Sequence, residues 1–343
     1  MPKRVSLDSQ GRLAELDLVS YGQRGRHTPL QFSPAQLEQI GRTVSGVPEV
    51  MVKVSGGGKS ADAVQVHLSY IDRHGRLEVL TDEGERLQGK DVANYLVDDW
   101  NLDAGKGQYR PGPQAGEKDR RPKQVHNIVF SMPAGTPPQK LLAATQKFAR
   151  EKFALQHRYA MVLHTDQGHP HVHLVVKAQS EDGQRLYIRK ATLRAWREDF
   201  AGCLRELGVA ANATPAALRG KPKDRKKDGI YRALKRGQST FMRGKVERVA
   251  AELQRGPLAP EPGKDKLVAT RGHVVEDWST TAALLRALGH ESLARGVEAY
   301  VRRMPTVATD KEMVAKGLLA QVAANRSRVR SVEREHSVGD WAR

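Results

Sequence analysis

The sequence predicts a layered α/β domain followed by an α-helical C-terminal region. From about residue 47 to about residue 208, short apolar or alternating segments that favour strands are separated by longer segments with helical spacing. Beyond about residue 210 the apolar spacing is helical, and a stretch rich in Pro and Gly at 256–263 interrupts it. We therefore divide the 343 residues into a polar N-terminal segment, an α/β domain, a basic linker with a helix, and a helical region: 1–45, 46–210, 211–256 and 257–343.

The elements of the α/β domain follow from the spacing of its apolar residues. Alternating or continuous apolar runs predict strands near 48–54, 125–132, 158–164, 171–178 and 185–189. Helical spacing predicts helices at about 60–73, 89–99, 137–154 and 192–207. The Pro, Gly and charged residues of 104–123 predict an exposed loop.

Basic residues are in clear excess. Lys and Arg number 57 against 39 acidic residues, which gives a formal net charge of +18. Such an excess is typical of proteins whose partner carries phosphates. The run from Arg219 to Lys227 concentrates the charge where a nucleic-acid backbone could be contacted, and a solvated linker is the alternative interpretation. Its candidate DNA contacts are Lys223, Arg225, Lys226 and Lys227.

The single cysteine and the distribution of apolar residues predict the cellular compartment of the protein. Cys203 is the single cysteine and lies on the apolar stripe of the predicted helix 192–207, so we expect it in the core. One cysteine excludes an intramolecular disulfide framework and fits a reducing cytoplasm. The N-terminus lacks an apolar signal core, and no apolar run approaches the ~18 residues of a membrane span. We therefore expect a soluble, intracellular protein with no membrane insertion.

Four histidines and one aspartate lie within ten residues, from His164 to His173. In a strand at 171–178, His171 and His173 would point to one face and the alternating apolar residues to the other. His164 ends the preceding apolar strand, and the turn-forming residues that follow would return it beside the pair. Three neutral imidazoles with an open coordination position are typical of a catalytic metal site. The alternative is a polar loop next to two strand histidines.

The pattern around these histidines resembles a known family. His164-x-Asp166-x-x-His169-Pro-His171-x-His173, followed by Leu-Val-Val, is similar to the third motif of conjugative relaxases, which belong to the HUH nuclease superfamily. The P-type mobilisation relaxases and the T-DNA border nuclease are the most similar in pattern. The resemblance implies a central antiparallel sheet with packed helices, and a metal site on one face of that sheet.

A relaxase also needs a tyrosine nucleophile upstream, near the end of a helix. Tyr70 fits, because it lies near the end of the predicted helix 60–73, on one face with Ala63, Val66 and His67. An ordinary amphipathic helix with a half-buried tyrosine is the alternative interpretation. The competing tyrosines are Tyr21 and Tyr109, which lie in no regular apolar pattern, and Tyr95, on a helix whose spacing is that of a core helix.

The resemblance also assigns roles to other residues. The second motif of the family is similar to His126–Ser131, and it implies that Ser131 contacts nucleic acid near the scissile phosphate. Asp166, directly or through His169, is the candidate base for the phenol. The implied cofactor is a divalent ion, Mg²⁺ or Mn²⁺, although imidazole ligands suit later transition metals as well.

One apparent phosphate-binding loop precedes the predicted nucleophile helix. Ser55-Gly-Gly-Gly-Lys59-Ser60 is similar to a P-loop, but Lys53 stands where that loop requires glycine, so an NTPase is excluded. The glycines are better explained as a strand-to-helix turn. Lys59 and Arg73, at the two ends of the predicted helix, are further candidates for contact with DNA.

These observations predict a site- and strand-specific nickase that starts conjugative transfer at an origin of transfer. Tyr70 would form a 5′-phosphotyrosyl intermediate, and no nucleotide cofactor would be needed. The implied partners are single-stranded or supercoiled origin DNA, relaxosome accessory proteins and a type IV secretion coupling protein. The expected location is the bacterial cytoplasm, with possible transfer to the recipient cell. Three alternatives stay open: a rolling-circle replication initiator, a metal-dependent phosphohydrolase that uses water, and a DNA-binding module with a structural metal.

Overall fold

The computed structural model describes residues 32–102, 121–166, 168–216, 218–220, 230, 233 and 236–339. The chain divides into a compact unit at Ser33–Pro215 and a second unit that contains the residues from Ala216 onward. The predicted α/β domain at 46–210 lies within the first unit. That unit begins with a helix, α1 at Pro34–Val44, which the sequence analysis left in the polar N-terminal segment.

A six-stranded antiparallel sheet is the centre of the first unit. Its strand order is β1-β4-β6-β5-β2-β3, and every neighbouring pair is antiparallel. The predicted fold class, an antiparallel sheet with packed helices and a helical C-terminal region, is therefore confirmed. The strands are β1 Met51–Gly56, β2 Val79–Thr81, β3 Arg86–Leu87, β4 Val125–Ser131, β5 Tyr159–His164 and β6 His171–Lys177.

The predicted strand at 185–189 is wrong. Only one isolated bridge, between Gln179 and Arg185, forms there. Leu186 and Ile188 pack against the core while Tyr187 is exposed, so the alternation in burial was real. Among the described residues, however, no neighbouring strand pairs with the segment. Alternating burial without such pairing does not form a β-strand of the sheet. The short hairpin of β2 and β3 was missing from the prediction.

Helices cover both faces of the sheet. On one face, α4 and α5 pack against Val172, Leu174 and Val176 of β6. Phe148 of α4 is fully buried there, and its ring centroid lies 5.0 to 6.4 Å from those of four aromatic residues, Phe130, Phe153, Trp196 and Phe200. Cys203 is buried in the same cluster, as predicted. The remaining helices of the unit are α2 Ala61–Ile71, α3 Val92–Asp99, α4 Pro138–Phe153 and α5 Lys190–Glu206.

The opposite face of the sheet packs against α2 and α3. Val64, Leu68 and Ile71 of α2 are buried against Val162 and Val175 of the sheet. The side of α2 that carries Ala63, Val66, His67 and Tyr70 is therefore not its core side, and Val66 and Tyr70 are 69% and 54% exposed. The nucleophile predicted from the sequence thus lies on a helix whose other side anchors it to the sheet.

Close packing explains the glycines before α2. A Cβ on Gly57 would lie 2.4 Å from the carbonyl oxygen of Val125, and a Cβ on Gly58 would lie 2.4 Å from Cγ2 of Val64. Because β1 ends at Gly56 and α2 begins at Ala61, the segment is the strand-to-helix turn that the sequence predicted. The side chain of Ser60 caps α2 by accepting a hydrogen bond from the backbone N–H of Ala63.

The second unit is helical in the part of the chain that the structure describes. Its helices are α6 Thr240–Arg255, α7 Lys264–Ala287, α8 Glu291–Arg302 and α9 Asp310–Gly339, and α6 and α7 are separated by the Pro- and Gly-rich stretch 256–263. Trp278 of α7 is fully buried and donates a hydrogen bond to the carbonyl oxygen of Leu218. Among the described helices, none combines the length and the apolar character that a bilayer crossing requires.

Candidate active site

The three predicted metal ligands lie together on the sheet face that α2 covers. His164 and His171 are direct partners in the β5–β6 ladder, and His173 follows two residues later on the same face. One ligand nitrogen from each of the three side chains lies within 4.8 Å of the other two. The hairpin return predicted from the turn between the strands is therefore present, and it forms a three-imidazole cluster.

Burial keeps these imidazoles neutral. It lowers the pKa of His164 and of His171, and it lowers the pKa of His173 to about 3, where the neighbouring histidines add to the effect of burial. A neutral imidazole offers a lone pair rather than a second N–H. Three such lone pairs at this spacing fit a divalent cation, which is the donor set expected of an open metal site.

The hydrogen bonds of two ligands indicate which nitrogen is free to bind an ion. Nε2 of His164 lies 2.5 Å from the carbonyl oxygen of Ile71, the last residue of α2, so it carries the hydrogen. Nδ1 of His164 then holds the lone pair, which accepts a hydrogen bond from Nη2 of Arg73 at 3.3 Å and which a bound ion would take over. Nδ1 of His171 is 3.4 Å from the carbonyl oxygen of His169, which leaves its Nε2 free. Carbonyl partners of this kind fix the ring orientation of metal ligands.

Ser131 lies beside the cluster. It is the direct partner of His171 in the β4–β6 ladder, so its side chain is on the same sheet face, and it is buried. The structure therefore brings the predicted second-motif serine to the edge of the imidazole cluster. Contact with nucleic acid stays a prediction.

Arg73 links the predicted nucleophile to the histidine cluster. Its guanidinium carbon lies 5.3 Å from the centre of the Tyr70 ring, and Nη2 lies 2.6 Å from Oδ2 of Asp166 and 3.3 Å from Nδ1 of His164. The pKa of Arg73 is raised, mainly by its hydrogen bond with Asp166 and further by one with the side chain of Tyr70. One cation thus contacts the phenol, a carboxylate and a metal ligand.

The backbone at Arg73 is unusual. Arg73 and His74 have φ angles of 58° and 59°, and Gly75, at 80°, continues the left-handed turn. A left-handed conformation costs a residue with a side chain roughly 1–2 kcal/mol. This turn ends α2 and directs the Arg73 side chain back towards the cluster. Sequence analysis named Arg73 only as a DNA contact and did not foresee its central position.

The contacts of Asp166 argue against its predicted role as the base. Its hydrogen bond with Arg73 lowers the pKa of the carboxyl group, with a smaller contribution from the positive charge of Arg73. A carboxylate held ionised by a guanidinium is a poor proton acceptor. Asp166 instead fixes Arg73. His169 is exposed, with its ring 5.9 Å from that of His171, so its role as a proton relay stays a prediction.

Lys59, another predicted DNA contact, lies away from the cluster. Lys59 precedes the first turn of α2, whereas Tyr70 is in its last turn, and an eleven-residue helix is roughly 16 Å long. The basic residues Lys223, Arg225, Lys226 and Lys227, and the candidate tyrosines Tyr21 and Tyr109, lie outside the described residues. Most of the predicted loop 104–123 does so as well.

The environment of Tyr95 separates it from Tyr70. Tyr95 is exposed on α3, and the nearby carboxylates of Glu85 and then Asp99 raise its pKa. A negative environment opposes formation of the phenolate. Tyr70 instead has the guanidinium of Arg73 over its ring, 5.3 Å from the ring centre. The charges next to the two tyrosines are thus of opposite sign, and Tyr70 stays the nucleophile candidate.

Part of this chain is similar to known proteins. Residues 98–208 match the family model described as "Relaxase: MobA/VirD2-like, nuclease domain". The "T-DNA border endonuclease VirD2" of Agrobacterium fabrum is 27% identical over 211 residues, which are 57% of this chain and 46% of that protein. The protein of the same name from Rhizobium radiobacter is 26% identical over 187 residues, which are 50% and 43% of the two chains. This chain thus spans slightly less than half the length of these curated relatives.

A solved structure also overlaps the chain. It is described as "Molecular Basis of Vancomycin Resistance Transfer in Staphylococcus aureus", and it covers 49% of this chain and 99% of that chain. The TM-score is 0.30 and the sequence identity is 12%, a likeness too low to support a conclusion.

The sheet and its two helical layers define an α/β domain, and the imidazole cluster is a candidate metal site on one face of its sheet. The family match adds a likeness over part of the chain: residues 98–208 resemble a MobA/VirD2-like relaxase nuclease domain. The resemblance seen in the histidine motif is therefore confirmed. The matched stretch includes Ser131 and all four histidines of the motif, whereas Tyr70 and Arg73 lie before it.

Proposed function

We propose that this protein nicks one DNA strand at an origin of transfer by transesterification from Tyr70. The observation that carries the proposal is the position of Arg73, whose guanidinium contacts Tyr70 on one side and His164 on the other. The nucleophile candidate and the metal-ligand cluster are therefore connected through a single side chain. The family assignment supports a nuclease, and the route through tyrosine is the further step.

The chemistry requires one bond to form and one to break. The Tyr70 oxygen attacks the scissile phosphorus, the bond from phosphorus to the 3′ oxygen breaks, and the protein becomes joined to the 5′ end through a phosphotyrosyl ester. The phenol gives up its proton to water, directly or through His169, and the leaving 3′ oxygen takes up a proton from water. Because the ester preserves the energy of the broken bond, a 3′ hydroxyl can attack it and reseal the strand.

The chain supplies two positive elements for this reaction. His164, His171 and His173 would hold a divalent ion, and Mg²⁺ or Mn²⁺ bound there would offset charge on the phosphate. Arg73, whose guanidinium lies over the Tyr70 ring, would add a donor for the phosphoryl oxygens. Asp166 holds Arg73 in place. Ser131, beside His171, is proposed to contact the nucleic acid next to the scissile phosphate.

The wider role is proposed for the whole protein. Origin DNA, relaxosome accessory proteins and a type IV secretion coupling protein are its proposed partners, and the bacterial cytoplasm is its proposed location. The basic run with Lys223, Arg225, Lys226 and Lys227, together with Lys59, would add contacts to the DNA backbone. These expectations rest on the family resemblance and on charge.

The test uses single-stranded oligonucleotides that tile the non-coding DNA next to the gene, labelled at the 3′ end. Incubation with Mn²⁺ should give a labelled protein–DNA adduct that survives denaturation. Tyr70→Phe should remove the adduct and leave binding within about 3-fold of wild type. Tyr95→Phe is the matched control and should retain the adduct.

Three outcomes would contradict the proposal. An adduct that persists in Tyr70→Phe would show that another residue is the nucleophile. Cleavage by wild type without an adduct would favour a phosphohydrolase that uses water. Binding to many oligonucleotides without cleavage of any would favour a DNA-binding module.

A further inference from the structure

Histidines that bind a metal usually donate their second ring N–H to a nearby acceptor, which fixes the tautomer and the ring orientation. His164 and His171 have backbone carbonyl partners of this kind, from Ile71 and His169. His173 differs. Its Nδ1 is buried and has no hydrogen-bond partner among the residues that the structure describes.

A fourth histidine, which the sequence analysis did not assign to the site, lies next to His173. The rings of His67 and His173 are 6.5 Å apart between centroids and meet edge to face, at 66°. Nε2 of His67 is also buried without a partner in the described part of the chain. Two ring nitrogens of adjacent side chains are thus buried without a partner among the described residues, which is unfavourable for each of them.

The chemistry of the two rings is complementary. A neutral imidazole carries one donor and one acceptor. If His173 turns Nε2 towards the ion, its Nδ1 carries the hydrogen and needs an acceptor. His67 can accept at Nε2 when its own hydrogen is on Nδ1. A direct bond of about 3 Å between the nitrogens requires the rings to approach by roughly 1 Å.

We propose that His67 is a positioning residue of the metal site, whose Nε2 accepts a hydrogen bond from Nδ1 of His173 and holds Nε2 of His173 towards the ion. The inference rests on the proposed metal site and deepens it. It also gives α2 a second role, since the helix that carries Tyr70 would then orient two of the three ligands. Ile71 orients His164 through its carbonyl, and His67 orients His173.

Asn127 carries a second candidate acceptor for the hydrogen bond from His173 on this sheet face. Oδ1 of Asn127 is also buried without a partner among the described residues, and Asn127 lies two residues from Val129, the ladder partner of His173. Asn127 and His173 share no hydrogen bond among the described residues, whereas the rings of His67 and His173 meet edge to face with their centroids 6.5 Å apart. His67 is therefore favoured, and Asn127 provides the matched control.

The first experiment measures Mn²⁺ binding to the full chain without DNA, by calorimetry. His67→Leu removes the acceptor and should weaken Mn²⁺ binding about 10- to 100-fold, the usual effect of losing such a partner. His67→Gln places an amide oxygen near the position of Nε2 and should retain most of the affinity. Asn127→Leu should leave the affinity unchanged. Thermal unfolding of each variant without metal reports on the fold separately.

The second experiment reads the tautomer of His173 in the metal-free protein, through long-range ¹⁵N–¹H couplings. Wild type should carry the hydrogen on Nδ1, and His67→Leu should shift the population towards the other tautomer. Unchanged Mn²⁺ affinity in His67→Leu, or a wild-type His173 protonated on Nε2, would overturn the inference. A loss of affinity in Asn127→Leu in place of His67→Leu would reassign the role to Asn127.

Failure of the proposed metal site is distinguishable from failure of this inference. His171→Ala removes a ligand and should abolish measurable Mn²⁺ binding. If that variant binds Mn²⁺ as wild type does, the ligand set is wrong whatever His67 does. If it loses binding and His67→Leu does not, the metal site stands and the role of His67 is rejected.

Discussion

The two faces of β6 bury different kinds of side chain. On the α4 and α5 side, Leu174 and its neighbours pack into a cluster of aliphatic and aromatic side chains. On the α2 side, the alternating positions are His171 and His173, and burial lowers the pKa of both. Nδ1 of His173 has no hydrogen-bond partner in the part of the chain that the structure describes. One strand therefore contributes stability on one face and reactive groups on the other. The apolar packing on one face of the sheet can therefore offset the unfavourable free energy of burying imidazoles on the other face.

The largest expected effect tests the apolar face. Phe148→Ala deletes a ring that contacts four aromatic neighbours, and it should lower the free energy of unfolding by about 3–5 kcal/mol. Urea unfolding measures this loss. Under conditions where the variant is folded, its Mn²⁺ affinity should match that of wild type. A large loss of affinity would mean that the two faces are not independent.

The second-largest effect is expected on the side of the sheet that carries the histidine cluster. Arg73→Ala should lower the rate of DNA cleavage about 10²- to 10³-fold, because it removes a donor next to the Tyr70 oxygen and the phosphate. Single-turnover cleavage of the labelled oligonucleotide measures it. Arg73→Gly is the matched control for the backbone, since Arg73 has a φ of 58° that glycine adopts freely.

The two Arg73 variants should separate stability from chemistry. Arg73→Gly should lose cleavage as Arg73→Ala does, yet unfold at the same or a higher urea concentration than wild type, because the left-handed strain is relieved. A variant that loses stability together with activity would instead make Arg73 a structural residue. Retained cleavage in Arg73→Gly would contradict the proposed role of the guanidinium.

A histidine on the apolar face predicts a pH dependence of stability. Burial lowers the pKa of His126, whose Nε2 contacts the carbonyl oxygen of Leu186, below the 6.5 of an unfolded histidine. The unfolded chain therefore binds more protons below pH 6.5, so this contribution to stability is full above that pH and is lost as the pH falls. His126→Gln can keep the hydrogen bond and removes the titrating group. It should reduce the slope of unfolding free energy against pH between 6.5 and 5, and an unchanged slope would contradict the assignment.

The smallest expected effect concerns the start of α2. Ser60→Ala removes the hydrogen bond to the backbone N–H of Ala63 and should lower the free energy of unfolding by about 1 kcal/mol. Mn²⁺ affinity should stay unchanged, because the residues that orient the ligands lie in the later turns of the helix. A drop in affinity measured by calorimetry would mean that the first turn of α2 also holds the site.

The histidine cluster could be predicted from sequence because its determinants are local. The period of two along β6 places His171 and His173 on one face, and the short turn fixes His164 opposite His171. Arg73 and Asp166 could not be paired in this way, since 93 positions separate them and only the fold brings them together. The same holds for His67, which reaches His173 through the packing of α2 on the sheet.

Helix α1 shows how the pattern of apolar residues can mislead. Its buried side includes Gln39 and Thr43 beside Ile40 and Val44, so half of the stripe is polar and its apolar period is weak. A signal was present, since Ser33 and Gln36 form a capping box with Pro34 in the first turn. Buried polar residues obtain their partners from distant segments: Thr43 Oγ1, for example, lies 2.7 Å from Thr214 Oγ1.

The hydrogen bond from His164 to the carbonyl of Ile71 joins the β5–β6 hairpin to the end of α2. Tyr70 is the neighbour of Ile71 in the chain, so the backbone of the proposed nucleophile and one proposed cation ligand are linked through a single hydrogen bond. A movement of α2 over the sheet would have to break that bond. The contact between helix and hairpin therefore holds the spacing that a scissile phosphate would have to fit.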